Sequence, residues 1–194
     1  MKILFLTNNT EITSPLINWL NSQNETVTVF KDPINRELIL KYKPDLVISY
    51  NYRHLIKQDI ISFMPNRIIN LHISYLPWNK GSHPNVWSFI KDTPKGVTIH
   101  LIDKGLDTGK ILLQQECYFD NNAETLTSSY IHLHNLIQKI FIHNWDDIRN
   151  NRIKPVAQVG AGSFHNSKEI FLILDKLGDS FWNLPIATIK KKYY

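Results

Sequence analysis

Within the first fifty residues, short apolar runs of strand character alternate with runs of helical period, and nothing else in the chain constrains its fold as strongly. Residues 2–6, 26–30 and 46–49 are dense in Ile, Leu, Val and Phe and read as strands. Between the first two, Ser14 ahead of Pro15 signals a helix start, and Leu16, Ile17 and Leu20 give it an apolar stripe. A second helix is expected over residues 35–41, ending before Pro44, and a third over residues 56–61. Parallel strands need crossover connections, and those connections lay helices on the sheet faces. The expected class is therefore α/β, a Rossmann-like, doubly wound and mostly parallel sheet. Residues 68–72, 97–102 and 111–118 supply further strands.

A chain of 194 residues with 43% hydrophobic content holds one well-buried domain and one active site. Residues 1–75 read as the Rossmann-like half, 76–150 as the rest of the core, and 151–194 as a C-terminal extension. From 124 to 148, Leu126, Tyr130, Leu133, Ile137, Ile140, Phe141, Trp145 and Ile148 recur at a helical period, which predicts one long amphipathic helix. His132 and His134 stand two apart on it, so they point to different faces and cannot chelate one metal. After Pro155 comes a loop through Gly160 to His165, and then helical segments over 170–177 and 186–192.

Charge and cysteine usage narrow the function classes. Lys and Arg number 22 against 17 Asp and Glu, a spread excess that suits an anionic small substrate as well as RNA. Lys190 to Lys192 is the one local basic run and reads as a solvated terminus. The single cysteine, Cys117, rules out an intramolecular disulfide and fits a reducing cytosol, with the thiol a core group rather than a nucleophile. The apolar opening Met1 to Leu6 is cut short by Thr7-Asn8-Asn9-Thr10, so it reads as a first strand and not an export signal. No apolar stretch reaches the roughly 20 residues of a membrane helix. The expectation is a soluble, cytoplasmic protein without a membrane partner.

The chemistry-bearing residues concentrate in the middle. Strand alternation turns the Asn70 and His72 side chains to one face, just before the turn-rich stretch Trp78-Asn79-Lys80-Gly81, which reads as a loop. A second polar loop, Asp103-Lys104-Gly105-Leu106-Asp107-Thr108-Gly109, follows a strand and can bring Asp107 beside His72. Ligand sites in open parallel sheets lie beyond the carboxyl ends of the strands, where these loops sit. Taken singly, each residue has an ordinary reading: Asn70 bonding backbone at a strand end, His72 a satisfied core histidine, Asp107 a turn former.

The string Asn70-Leu71-His72-Ile73-Ser74-Tyr75-Leu76-Pro77, followed by Gly96-Val97-Thr98-Ile99-His100 and Gly105-Leu106-Asp107-Thr108-Gly109-Lys110-Ile111-Leu112, resembles the formyltransferases that use 10-formyltetrahydrofolate. The order of the segments and the 37-residue separation of Asn70 from Asp107 match that family's pattern, over residues 44–115. The resemblance implies that Asn70, His72 and Asp107 are the catalytic residues. It implies that Tyr52, Arg53, His54 and Leu55 form the loop holding the pterin, with Ile102 and Asp103 also at the folate. The chemistry it implies is attack by an amine on the formyl carbon, with negative charge developing on the carbonyl oxygen. The Asn70 amide and a protonated His72 would donate to that oxygen, and Asp107 would favour the imidazolium and help remove the amine proton. The scheme requires no metal.

Three branches of the family differ in the amine. The methionyl-tRNA branch carries an additional C-terminal RNA-binding domain, for which this chain has no room. The glycinamide ribonucleotide branch of purine synthesis looks for phosphate with a Gly-rich loop after the first strand, whereas Thr7-Asn8-Asn9-Thr10-Glu11 has no glycine and carries an acid. The sugar N-formyltransferases are similar to this chain in Leu76-Pro77-Trp78-Asn79-Lys80-Gly81, in His83-Pro84-Asn85-Val86-Trp87-Ser88, and in Gly162-Ser163-Phe164-His165 with Lys168. The resemblance thus implies a nucleotide-linked amino-deoxy sugar as substrate, such as a dTDP-4-amino-4,6-dideoxyhexose for surface polysaccharide. Asn9, Ser74, Asn79, Lys80, Asn85 and His165 are the expected substrate contacts. No nucleic acid is expected as a partner, and a homodimer is an open option. The alternatives are the purine enzyme and, in another class, a non-catalytic folate-, nucleotide- or RNA-binding module.

Overall fold

The computed structural model describes the backbone of residues 1–194 and every side chain except that of Asp179. Its strands are β1 (Lys2–Leu6), β2 (Thr26–Phe30), β3 (Leu46–Tyr50), β4 (Ile68–His72), β5 (Lys80–Gly81), β6 (Lys95–Leu101), β7 (Ile111–Cys117) and β8 (Phe164–His165). Its α-helices are α1 (Thr10–Ser22), α2 (Arg36–Tyr42), α3 (Gln58–Phe63), α4 (Pro84–Ile90), α5 (Leu126–His143), α6 (Trp145–Arg149), α7 (Ile170–Leu177) and α8 (Ile186–Tyr193). Six strands form one sheet in the order β2-β1-β3-β4-β6-β7. The first four are parallel, whereas β6 runs antiparallel to both β4 and β7.

Side-chain alternation along the strands feeds two cores. Ile3, Phe5, Leu46, Ile48, Tyr50, Ile69, Leu71, Val97 and Ile99 face α1 and α5, where they meet Leu16, Leu20, Leu133, Ile137 and Phe141. The intervening Leu4, Leu6, Val47 and Ile68 face the other way, towards Ile39 of α2 and Ile60 of α3. Each such side chain contributes about 1.5 to 3 kcal/mol by leaving water. Because Ile69 and Leu71 are committed to the α1/α5 side, the period of two sends Asn70 and His72 to the opposite face. A third cluster joins Val86, Trp87, Phe89 and Ile90 of α4 to Ile170, Ile173, Phe181, Ile186 and Ile189, so the C-terminal helices pack on α4.

Local chemistry moves three of the expected boundaries. Helix α1 begins at Thr10 rather than after Ser14, because the Asn9 side chain accepts the Ile12 N–H at 3.2 Å and caps it. Pro15 therefore lies inside the helix, and the Ser14 hydroxyl bonds the Glu11 carbonyl that Pro15 has no N–H to reach, at 3.3 Å. The helix expected over 124–148 divides at Asn144 into α5 and α6, where the Asn144 side chain donates to Ile140 O at 2.7 Å. The stretch from Trp78 to Gly81 is not all loop: β5 pairs in parallel with β8, Lys80 opposite Phe164 and Gly81 opposite His165. No helix among the described residues is long and apolar enough to cross a membrane.

Candidate active site

A cleft of about 560 Å³ opens at the carboxyl ends of β3 and β4, and Asn70, His72, His100 and Asp107 converge on it. Asn70 and His72 reach it from β4. His100 reaches it from β6, where the antiparallel register sets it directly opposite Asn70. Asp107 arrives by a longer route. The loop after β6 starts beside Ile68, whose carbonyl accepts Ile102 N–H at 2.9 Å, at the far end of β4 from His72. It then turns back over the sheet face. Asp103 Oδ1 closes the turn by accepting Gly105 N–H at 3.0 Å and the Thr108 hydroxyl at 2.5 Å. Gly109 completes it: the Leu101 carbonyl oxygen lies 1.7 Å from where a Cβ would stand, so only glycine fits. Gln158 ties the loop down by donating to Asp107 O at 2.8 Å and Gly109 O at 2.9 Å.

The Asp107 carboxylate is the hub of the site. Oδ1 accepts from Asn70 Nδ2 at 3.1 Å and lies 3.4 Å from His100 Nε2, while Oδ2 accepts Gly81 N–H at 2.8 Å and lies 3.7 Å from His72 Nε2. Burial pushes this carboxyl up, but His72, His100 and the Gly81 amide outweigh it and hold it well below the ordinary carboxylate range. Asp107 is therefore ionised at neutral pH. For His72 the balance goes the other way. Burial lowers the imidazole, Asp107 raises it, His100 lowers it again, and the net shift is down. The imidazolium expected from the Asp107 partner is thus not the resting form, because desolvation of the cation wins over the neighbouring charge. The neutral ring donates from Nε2 to Asn79 O at 3.2 Å, which leaves Nδ1 as its basic nitrogen.

The remaining expected residues divide between the cleft and the framework. Tyr52, Arg53, His54, Leu55 and Ile102 all line the cleft, joined by Leu106. Asp103 does not, because its carboxylate is spent on the turn just described. Nor do several expected substrate contacts. Asn9 is the α1 cap. Ser74 is buried and its hydroxyl donates to Trp78 O. Asn79 is fully buried, bonding Thr93 at 2.8 Å and Ser163 at 3.2 Å. Asn85 is held by Leu126 O at 2.9 Å and by the Ser129 hydroxyl at 3.1 Å. Lys80 lies in β5, one residue short of the lining position Gly81. His165 is buried behind the cleft, its ring stacked on Trp87. Ser74, Asn79, Asn85 and His165 are thus buried within the fold, whereas Asn9 and Lys80 are half-buried beside the cleft.

His100, Asn51, Ser82, His83 and Tyr130 also line the cleft, although the sequence assigns none of them to the site. A signal for His100 exists in the alternation of Val97, Ile99 and Leu101 with Thr98 and His100. That places a titratable group on the polar face of a strand, but only the antiparallel pairing brings it to Asn70.

The profile of the formyl transferase family matches residues 10–144. The chain is 41% identical to the formyltransferase PseJ from Anoxybacillus kamchatkensis, with a TM-score of 0.90 and 100% of both chains covered. That protein was crystallised with UDP-4,6-dideoxy-4-formamido-L-AltNAc and tetrahydrofolate. The present chain is also 27% identical over 183 residues to the dTDP-4-amino-4,6-dideoxyglucose formyltransferase of Mycobacterium tuberculosis, covering 87% of this chain and 76% of that protein. Against the methionyl-tRNA formyltransferase of Syntrophus aciditrophicus it is 41% identical over 87 residues, but spans only 28% of that protein's length. With the Asn70, His72 and Asp107 segments inside the matched region, the chain belongs to the formyl transferase family.

Proposed function

We propose that this protein transfers the formyl group of 10-formyltetrahydrofolate to the 4-amino group of a UDP-linked 4-amino-4,6-dideoxyhexose. The observation that carries the reaction is the meeting of two distant segments in the main cleft, with the Asn70 amide 3.1 Å from the Asp107 carboxylate and His72 beside both. The substrate class is supported by the end-to-end likeness to PseJ, whose bound sugar is a UDP-linked 4-formamido-4,6-dideoxy sugar. The mycobacterial relative also bears the name of a 4-amino-4,6-dideoxy sugar enzyme, on a different nucleotide. The cleft fits a folate. Tyr52, Leu55, Ile102 and Leu106 offer apolar and aromatic surface to a flat ring, and Arg53 and His54 offer donors at the same wall.

In the reaction the amine nitrogen bonds the formyl carbon, and the bond from that carbon to folate N10 breaks. One proton leaves the amine and one reaches N10. Asn70 has two amide protons. Asp107 holds one, and the other, now 3.2 Å from His100 Nε2, serves the carbonyl oxygen as it gains negative charge. Neutral His72 accepts the amine proton at Nδ1, and the ionised Asp107 stabilises the imidazolium so formed. His72 and Asp107 are buried and Asn70 is half-buried, which limits screening of these interactions by water.

The test is a panel of amines offered with 10-formyltetrahydrofolate: UDP-, dTDP- and GDP-linked 4-amino sugars and glycinamide ribonucleotide, with products identified by mass. Formylation of the UDP sugar in preference to the others supports the reading. Formylation of glycinamide ribonucleotide alone moves the protein to the purine branch, and formylation of none favours a binding module.

A further inference from the structure

Residues 162–169 lie beyond the segment that matches the family, yet they are bonded to the back of the catalytic centre. The strand β5 segment presents two edges. On one, Asn79 O accepts from His72 Nε2 at 3.2 Å and Gly81 N–H donates to Asp107 Oδ2 at 2.8 Å. On the other, Asn79 N–H donates to Ser163 Oγ at 2.8 Å, Lys80 N–H to Ser163 O at 2.9 Å and Ser82 N–H to His165 O at 2.9 Å. The backbone groups that orient the catalytic pair thus have their placement set by residues 163–165. The fit is tight, since a Cβ on Gly81 would stand 2.3 Å from His165 O, at a φ of 88°.

His165 is what pins that second strand. Its ring stacks on Trp87 of α4 with centroids 4.4 Å apart and planes 9° from parallel, and its Nδ1 bonds Glu169 Oε2 at 2.9 Å. Glu169 Oε1 is itself fixed by the Asn166 backbone and side-chain N–H groups, each at 2.8 Å. Trp87 belongs to the buried cluster beneath the C-terminal helices, so the clamp is anchored in the core.

We infer that the ribbon of β5 and β8 is part of the catalytic apparatus, and that His165 is a positioning residue holding the Asn79 carbonyl against His72 and the Gly81 amide against Asp107. The inference rests on the proposed formyl transfer, but one of its readouts is independent of turnover. Removing the clamp lets the ribbon drift and loosens the geometry of His72 and Asp107, and a misplacement of about 1 Å costs on the order of 100-fold in rate. The effect on substrate binding is the smaller one, because His165 does not line the cleft and only Gly81 and Ser82 of the ribbon segment do.

The experiment compares the wild-type protein with His165→Ala and with Glu169→Gln, which keeps the stack on Trp87 and weakens only the anchor. For each, kcat and both KM values are measured, and the His72 tautomer is read from the ring nitrogens by NMR of 15N-histidine-labelled protein. His72→Gln assigns the signal. His165→Ala is expected to lose roughly 10- to 100-fold in kcat with KM changed by less than about twofold. In the same variant, the Nε2–H form of His72 gives way to a mixture. Glu169→Gln moves in the same direction by less, and it decides the matter if His165→Ala fails to fold. Unchanged kcat with an unchanged His72 tautomer in a folded variant overturns the inference. So does a raised KM at constant kcat, which would make His165 a substrate contact. If the wild type formylates no amine, the proposed function fails, and the NMR comparison alone still decides whether the ribbon sets His72.

Discussion

Replacing Asp107 with asparagine removes one negative charge from the centre of the site while keeping its size and its backbone. Asp107 has φ of 53°, in the left-handed region, and asparagine is among the few residue types that adopt it readily. The carboxylate uses both oxygens, one for Asn70 Nδ2 and one for Gly81 N–H. An amide has only one. Whichever way the new side chain turns, it keeps one of these bonds and points its NH2 group at another donor. At 9% exposure the lost bond is poorly replaced by water, so the cost is about 1 to 3 kcal/mol of stability. The partners outweigh burial for this carboxyl, so losing the charge should destabilise rather than relieve the fold. The kinetic loss is larger. In the proposed reaction Asp107 stabilises the proton that His72 takes from the amine, and general acid–base contributions run to about 100- to 10,000-fold. Steady-state formyl transfer gives kcat, and urea unfolding gives the stability change. A variant with kcat within about threefold of wild type and an unmoved urea midpoint would refute the role assigned to the carboxylate.

Other perturbations follow from the same geometry. Asn70→Ala deletes the amide donor and is expected to lower kcat by about 100- to 1000-fold with little change in KM, checked by steady-state kinetics. The pH profile of kcat/KM, which reports groups of the free enzyme, should be flat through neutrality and fall on the acid side, where His72 becomes protonated. Because its folded pKa lies below the ordinary 6.5, an acid limb centred above 6.5 would contradict the assignment. His134 offers a stability test away from the site: its Nδ1 meets the Tyr50 hydroxyl at 2.6 Å, and burial holds its pKa down to about 3. The unfolded chain takes up that proton first, so the stabilisation is complete above 6.5 and is lost as pH falls from 6.5 towards about 3. The slope approaches about 1 kcal/mol per pH unit, and buried His72 adds to it with the same sign. His134→Gln, which cannot titrate, should flatten the change in urea midpoint between about pH 7 and about pH 5; an unaltered slope would show that His134 carries none of it.

The parallel half of the fold is legible because β1, β2, β3 and β4 are short apolar runs whose period of two and flanking helical stripes leave little choice of class. The same alternation by itself places Asn70 and His72 on one face. What the sequence does not carry is strand direction. Nothing in residues 95–101 says that β6 runs antiparallel, and that direction alone sets His100 opposite Asn70 and sends the Asp107 loop back across the sheet. Short polar residues are equally ambiguous. Asn79 and Asn85 read as ligand contacts because their loop follows His72, and Asn9 stands in the loop after the first strand, but an asparagine caps a helix or ties two segments together just as well. The two-residue strands β5 and β8 have no periodicity to detect, so the ribbon behind the site emerges only from tertiary pairing.

In the proposed function this cleft performs formyl transfer through Asn70, His72 and Asp107. That transfer is tested most directly by measuring product from 10-formyltetrahydrofolate and a UDP-linked 4-amino-4,6-dideoxyhexose, with wild-type protein and with His72→Ala side by side. The prediction is multiple turnovers in the wild type and a loss of at least about 100-fold in the variant. Equal rates in the two proteins, or no formylated sugar from the wild type, would contradict it.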